Sequence, residues 1–476
     1  MLRLLQVMAG LSGVCLVVIY GTLATSDRDK SMPIALLDVS DHNLGHTLYS
    51  YVPSDDRSHL VTPRLDYLRI FDVSPDGLWA YVYATPDFEH GWPLSGVYKV
   101  RLDGGVYRFY TDGAGGVETI RSPDGQWLIY SHWEGIPEQQ VLVRLRLQDG
   151  YKQILTELPA AFSPGEIMFS PDGDWIAYSM MVLVENSDVA ANIDLFVLDV
   201  ATGQTHDLTS GKTEFARVRW WTTGDEWLLY EGNDTSDPAG NGYFAIRPDG
   251  TEAQLALPKY AELLNIFAWI DDARLLLIAK QDYEFSAFRI GQPTPVWTVR
   301  GYPAITPDER TLIFQDVGDG RTLWRMSIEG GTPQKITTLP PMDLGLEISP
   351  DGKWVMVAAF VDGLSETQLL RVDLRDGTTR TIFTQTEAAV PDFAWSPDSQ
   401  WISVYDGDGG NYWDEALVIM RADGNDRRRL EFSQGRPAVS WFEGEPADPI
   451  DRVLVGIGIG LIVGAFGLGW VRSKRA

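Results

Sequence analysis

A short turn motif, Ser-Pro-Asp-Gly followed by an apolar run that opens with tryptophan, recurs along most of this chain. Copies begin at Ser74, Ser122, Ser170, Ser349 and Ser396, with a partial copy at Thr306 and worn copies at Thr222 and Ile270. The motif prolines at positions 75, 123 and 171 are 48 residues apart, and those at 350 and 397 are 47 residues apart. Units of this length, each reading as four short strands, predict the radially repeated sheets of an all-β fold, a single β-propeller.

The motif consists of residues that favour a tight turn between two strands. Proline presets φ for the second position, and the serine and aspartate side chains offer oxygens to nearby backbone N–H groups. Glycine then takes the positive φ that closes the turn. Tryptophan stands four residues after the proline position in six units, at 79, 127, 175, 227, 354 and 401. We expect these tryptophans to pack in the core between neighbouring units.

The two ends of the repeat region complete one further unit. Its second, third and fourth strands are expected at Pro33–Val39, Thr47–Val52 and His59–Thr62, and its first strand at Pro437–Phe442. Both termini would then close the ring. Eight other units begin near residues 67, 117, 165, 216, 264, 302, 344 and 391. Propellers usually have about four to eight blades, so the sequence favours eight and leaves seven and nine open.

The units resemble the WD40-like PD40 repeats of the TolB-type propeller family, which carry the same Ser-Pro-Asp-Gly turn before an apolar strand. The resemblance covers roughly residues 45 to 442. It implies a propeller but not a particular function, because this repeat occurs both in binding proteins and in the propellers of some peptidases. The chain lacks the α/β domain that precedes the propeller of TolB, so the similarity is to the repeat.

Apolar segments lie at both ends of the chain, and an apolar helix is expected at each. The predicted organisation is a signal anchor or signal peptide (1–24), a linker (25–31), the propeller domain (32–446), a linker (447–452), a transmembrane helix (453–471) and a basic cytoplasmic tail (472–476). The 19 residues of Val453–Val471 are enough to span a bilayer. Basic residues at both outer ends favour a cell-membrane protein whose propeller lies outside the cytoplasm.

The glycines of the C-terminal segment and the net charge of the chain indicate which partners to expect. Gly456, Gly460 and Gly464 share one face of the predicted C-terminal helix, which suggests close helix packing or a helix-mediated dimer. The net charge of −27 argues against a nucleic-acid partner. The single cysteine, Cys15, lies in the N-terminal apolar segment and excludes an internal disulfide.

No constellation of residues predicts a catalytic, cofactor-binding or metal-binding site. The chain has no Gly-x-Ser-x-Gly motif of the kind that serine hydrolases carry on a strand-to-helix turn. His42 and His46 are four residues apart but lie in a predicted loop, so they do not predict zinc. Asp406–Asn411 has the composition of a calcium loop without the glutamate that completes an EF-hand.

Long loops between second and third strands are expected on one rim of the ring, where ligands usually bind. They are 85–95, 185–192, 231–241 and 406–414, and the aromatic residues of 88–92 and 412–413 suit stacking on a sugar or peptide, or packing over the blade edge. The sequence favours a module that binds a protein, peptide or glycan without catalysis. The alternative is a metal-assisted lyase or hydrolase that uses the central funnel, and a third possibility is a structural spacer.

Overall fold

The computed structural model is all-β in the residues it describes. These are residues 3–7, 16–20 and 32–444 except 41–44, 55, 75, 87–94, 112–118, 135–138, 159–166, 184–190, 211–214, 223–226, 234–240, 253, 258–262, 271–274, 281–282, 293, 362–365, 387–392, 407–415 and 433–436. Strands are numbered in chain order, and each unit contains four antiparallel strands, which are consecutive in the chain except where the two ends of the repeat region meet.

The described strands group into nine four-stranded units, here numbered 1 to 9. Units 1 to 3 contain β6 Leu65–Val73, β7 Trp79–Pro86, β8 Gly96–Arg101, β9 Tyr107–Thr111; β10 Ile120–Arg121, β11 Trp127–Glu134, β12 Gln139–Arg146, β13 Lys152–Glu157; β14 Ile167–Phe169, β15 Trp175–Leu183, β16 Ala191–Asp199, β17 Thr205–Asp207. Units 4 and 5 contain β18 Ala216–Trp221, β19 Leu228–Asn233, β20 Asn241–Ile246, β21 Gln254–Leu257; β22 Leu263–Ile270, β23 Leu275–Lys280, β24 Glu284–Arg289, β25 Trp297–Ile305.

Unit 6 begins within β25, whose first half pairs with β24 and whose second half pairs with β26. Units 6 to 8 continue with β26 Thr311–Asp316, β27 Thr322–Ser327, β28 Gln334–Thr338; β29 Met342–Ile348, β30 Trp354–Val361, β31 Glu366–Asp373, β32 Thr379–Thr386; β33 Phe393–Trp395, β34 Trp401–Asp406, β35 Ala416–Arg421, β36 Arg428–Leu430. Unit 9 contains β37 Pro437–Gly444, β3 Met32–Ser40, β4 His46–Val52 and β5 Arg57–Leu60.

Unit 9 joins the two ends of the repeat region in the way that the sequence predicts. Strand β3 pairs with β37 from Met32 opposite Gly444 to Val39 opposite Pro437. No turn connects these two strands, which explains why unit 9 has no Ser-Pro-Asp-Gly motif. The sequence favoured eight blades, because propellers usually have no more than about eight, and it left seven and nine open. The described strands form nine four-stranded units, and the number of blades in the ring stays a prediction.

An apolar cluster lies at each junction between consecutive units of the described chain. Nine such clusters occur, and each draws buried side chains from two neighbouring units. The last links unit 8 to unit 9 through Trp401 and Leu37, and another links unit 9 back to unit 1 through Leu36 and Leu65. The contacts therefore return to their starting point, as the ring of a propeller requires.

Side-chain hydrogen bonds define the repeated turns, as their residues predict. In unit 7, the Ser349 hydroxyl donates to the Asp351 carboxylate at 2.7 Å and accepts from the Trp354 backbone N–H at 3.0 Å. The same pair of bonds recurs in units 1, 2, 3 and 8. Gly352 closes its turn at φ 70°. Where glycine is absent, Glu309 and Ser399 take the same left-handed conformation at 55° and 59°.

The signature tryptophans lie at the junctions, but most of them are less buried than predicted. Only Trp401 is buried, at 3% exposure, and the other five are partly buried. Trp175, Trp227 and Trp354 pack against the clusters shared with the following unit. Each tryptophan stands at or just before the start of its second strand, beside the turn, and five of the six rings lie within reach of solvent at the edge of the junction.

The terminal segments do not confirm the predicted helices. Strands β1 Arg3–Val7 and β2 Leu16–Tyr20 pair as an antiparallel hairpin in the segment for which an apolar helix was expected. Val453–Val471 and its glycines lie outside the described residues. Within the part of the chain that is described, no helix has the length and apolar character needed to cross a bilayer.

Candidate functional site

The enzyme hypothesis depends on histidines that meet in the central funnel, and the histidines whose side chains the structure describes are not grouped together. His46 on β4 lies 3.0 Å from both carboxylate oxygens of Asp38, while His59 and His206 lie exposed on fourth strands. His42, His90 and the side chain of His132 lie outside the described residues. Among the residues that are described, no three His, Cys, Asp or Glu side chains are grouped to hold a metal ion.

Two carboxyl groups on first strands are partly removed from water. Asp72 of unit 1 lies 2.7 Å from the Arg121 guanidinium of unit 2, and burial raises its pKa against the attraction of that cation. Glu347 holds the equivalent place in unit 7, two residues before the turn serine. Burial raises the pKa of Glu347 to about 7, although a hydrogen bond from the Trp395 backbone N–H opposes the shift. Sequence analysis identified neither carboxyl.

Cations on or just after the third strands lie over the signature tryptophans in five units of the described chain. The distances from cation to ring centroid are 5.1 Å for Lys99 over Trp79, 4.6 Å for Arg144 over Trp127, 4.6 Å for Arg247 over Trp227, 4.0 Å for Arg371 over Trp354 and 4.3 Å for Arg421 over Trp401. Such contacts contribute about 0.5–1 kcal/mol each at exposed sites. The junctions therefore present stacked pairs of aromatic rings and cations along the rim that carries the turns.

These pairs are densest on units 1 and 2. We call this surface the basic–aromatic patch; it comprises Trp79, Lys99, Arg101, Arg108, Tyr110, Trp127, Arg144, Arg146 and Tyr151. Tyr110 bridges the two units, because its hydroxyl donates to the backbone carbonyl of Leu147 at 2.9 Å. Tyr151 is 51% exposed and contacts Arg146. Arg101 and Arg146 are ion-paired with Asp103 and Asp149, so the positive charge that the patch offers beside its rings comes mainly from Lys99, Arg108 and Arg144.

Lys99 is a partly buried cation within the basic–aromatic patch. Its ammonium lies 5.1 Å from the Trp79 ring and 5.4 Å from the Tyr81 ring. Partial burial lowers the pKa of Lys99, the nearby Arg108 charge lowers it further, and the Asp76 carboxylate opposes both effects. A cation held this way between rings is partly desolvated. It therefore attracts an incoming anion more strongly than a fully hydrated cation would.

Sequence analysis missed the patch because it considered the tryptophans alone. A signal was present: third strands repeatedly carry a lysine or arginine shortly before their turn, as at Lys99, Arg144 and Arg371. The loops that the sequence favoured do connect second and third strands, but 87–94, 184–190, 234–240 and 407–415 lie outside the described residues. At the edge of the last of these loops, Asp406 is ion-paired with Arg429.

Solved structures that resemble this chain were compared with it for their fold. A comparison with protein-family models finds no match. The crystal structure of the eukaryotic initiation factor matches with a TM-score of 0.55 and 14% identity, covering 88% of this chain and 100% of that one. An oligogalacturonate lyase in complex with manganese matches at 0.38 and 15%, over 85% of this chain and 98% of that one. TolB from Acinetobacter baumannii matches at 0.28 and 14%, over 85% and 81%.

The repeated four-stranded sheets give this chain the fold of the β-propeller proteins. Identities of 14–15% extend no further than the fold.

Proposed function

We propose that this chain is a nine-bladed β-propeller that binds an anionic partner on the basic–aromatic patch and carries out no chemistry. The partner is an acidic segment of a protein or peptide, or an anionic glycan. The patch carries this proposal, because it combines several cations with accessible aromatic faces on one rim. Carboxylates and phosphates pair well with arginine forks, and flat sugar or peptide groups stack on aromatic rings.

The charge of the rest of the molecule adds selectivity. A chain with a net charge of −27 repels most anions over its surface. A local cationic patch on such a chain therefore directs an anionic partner to one place, and the aromatic rings supply contact area that charge alone does not. This arrangement favours recognition of a defined anionic surface over unspecific binding of polyanions.

Removing two patch cations is expected to weaken binding by at least tenfold. In the double variant Lys99→Gln with Arg144→Gln, two stacked charges are lost while the tryptophans remain. Binding is measured to immobilised acidic and neutral peptides and to carboxylated, sulfated and neutral oligosaccharides. The intact protein should retain acidic probes and release them as ionic strength rises. The matched control, Lys335→Gln with Arg380→Gln, removes the same charge from exposed positions on units 6 and 7. If both double variants bind the acidic probes equally well, the basic–aromatic patch is not the binding site.

The proposal also includes attachment to the cell membrane through residues 1–24 and 453–471, with the propeller outside the cytoplasm. Its support is the apolar length of Val453–Val471 and the basic residues that follow it. Protease added to intact cells is expected to degrade the propeller and to spare an epitope placed after Ala476. Degradation of that epitope, or protection of the propeller, would contradict this topology. The glycines of the C-terminal segment extend the proposal to a dimer formed through that segment.

One observation favours an enzyme as the second candidate. The Glu347 carboxyl lies on a first strand with a pKa of about 7, which suits a general acid or base near neutral pH. A metal-assisted lyase or hydrolase would need further groups around it. Metal analysis of the protein purified without chelators tests this candidate. A stoichiometric metal bound near the first strands would favour the enzyme over the binding module.

A further inference from the structure

Unit 6 departs from its neighbours at the tryptophan position. Thr311 stands where five other motif units and the worn copy in unit 4 have tryptophan, five residues after the first residue of the turn. The backbone is unchanged, because the Thr311 N–H donates to the Thr306 hydroxyl at 3.0 Å, as the Trp354 N–H donates to Ser349 at 3.0 Å. The difference is therefore confined to the side chain.

The arginine that would cover this tryptophan is nevertheless in place. In unit 7, Arg371 lies 4.0 Å from the Trp354 ring centroid and donates to the Ala422 carbonyl of unit 8 at 2.9 Å. In unit 6, Arg325 holds the equivalent position and donates to the Leu374 carbonyl of unit 7 at 3.2 Å. Both arginines lie opposite the residue two places after the tryptophan position. Arg325 is thus held in the same way, and Thr311 supplies no ring beneath it.

A cavity of about 470 Å³ lies at this place, between the turns of units 6 and 7. Its base is apolar, with Ile313 1% exposed and Leu374 8% exposed. Its polar border includes the half-buried cation Arg325 and the carboxylates Asp308 and Asp351, and the exposed Pro307 and Pro350 also line it. The volume falls within the range of about 300–1,000 Å³ that is usual for small-molecule sites.

We infer that this cavity binds a planar aromatic group, the indole of a tryptophan side chain carried by a partner protein or peptide, in the place that the missing tryptophan would occupy. Unit 7 shows which group fits beside an arginine held in this way. The apolar base suits the ring, Arg325 supplies a cation for its face, and Pro307 and Pro350 add apolar surface beside it. The site is separate from the basic–aromatic patch, so its occupancy does not depend on an anionic partner.

Binding of N-acetyltryptophanamide to the full-length protein tests the inference, with N-acetylalaninamide as the matched probe without a ring. We expect saturable binding of the first compound, detected by ligand NMR and by a raised unfolding midpoint, and none of the second. Thr311→Trp should fill the cavity from within. It is expected to raise the unfolding midpoint and to weaken probe binding at least tenfold.

Two further variants keep the test decisive if Thr311→Trp does not fold. Arg325→Met keeps the length of the side chain but removes its charge, and it should weaken probe binding several-fold with little change in the unfolding midpoint. Trp354→Thr copies unit 6 into unit 7 and should add a second binding site. The inference is overturned if the indole probe does not bind the intact protein at millimolar concentration. It is also overturned if the folded Thr311→Trp and Arg325→Met variants bind the probe as tightly as the intact protein does.

Discussion

A chain that ends at residue 432, before β37, is expected to unfold at least 10 °C below a chain that ends at residue 446. Both truncations remove the apolar C-terminal segment, and only the shorter one removes the closing strand. Strand β3 would lose the eight-residue pairing with β37 and become an exposed edge beside buried Leu36 and Leu37. The partly buried Trp441 and Val439 would also leave their cluster. Each large apolar side chain lost from a core costs about 2–5 kcal/mol.

Thermal unfolding followed by near-ultraviolet circular dichroism measures the effect. The chain that ends at residue 446 serves as the control, because it retains the pairing of Met32–Val39 with Pro437–Gly444. Trp441→Ala in that longer chain should give an intermediate loss of stability. If both truncations unfold at the same temperature, the pairing of the two ends contributes nothing to stability, and the ring is held by its other junctions alone.

Replacing Glu347 by glutamine is expected to abolish a pH-dependent loss of about 3 kcal/mol in the free energy of unfolding. Burial raises the pKa of this carboxyl from 4.5 to about 7, and each unit corresponds to about 1.36 kcal/mol. The folded protein therefore holds the proton more tightly than the unfolded chain does. Its free energy of unfolding falls as pH rises from about 4.5 to about 7, and the full loss is present above that range. The glutamine variant has no carboxyl to ionise and should avoid this loss.

Urea unfolding of both proteins at pH 5, 6, 7 and 8 provides the measurement. The stability of Glu347→Gln relative to the natural protein should rise across this series and level off near pH 8. Asp174→Asn is the matched control, since it makes the same carboxyl-to-amide change on an exposed turn. A difference between the natural protein and Glu347→Gln that stays constant with pH would show that the carboxyl titrates as it does in water.

Much of the fold could be predicted because its information is local. The serine, proline, aspartate and glycine of each motif form their turn through bonds within a few residues, as at Ser349 and Asp351. The closing unit could also be predicted, because an unmatched first strand and three unmatched later strands stood at opposite ends of the sequence. The number of units could not be settled this way. Strand β25 serves two units at once, and no turn motif marks unit 9.

The candidate sites depend on contacts between units, and these are not local. Tyr110 joins the two halves of the basic–aromatic patch through a carbonyl 37 residues away. Arg325 reaches the Leu374 carbonyl across 49 residues. The replacement of tryptophan by Thr311 is visible in the sequence, but a missing tryptophan could equally be filled by a neighbour. Only the packed junction shows that a cavity remains there.

The sequence by itself determined the repeating unit, its turns and the pairing of its two ends, because turn geometry and strand periodicity follow from neighbouring residues. The tertiary structure alone decided which cations cover which rings, that the Glu347 carboxyl is partly removed from water, and that the junction of units 6 and 7 stays open. These properties arise where side chains from different units meet. Burial and distance between units depend on how the whole ring packs, and the order of residues along the chain does not specify them directly.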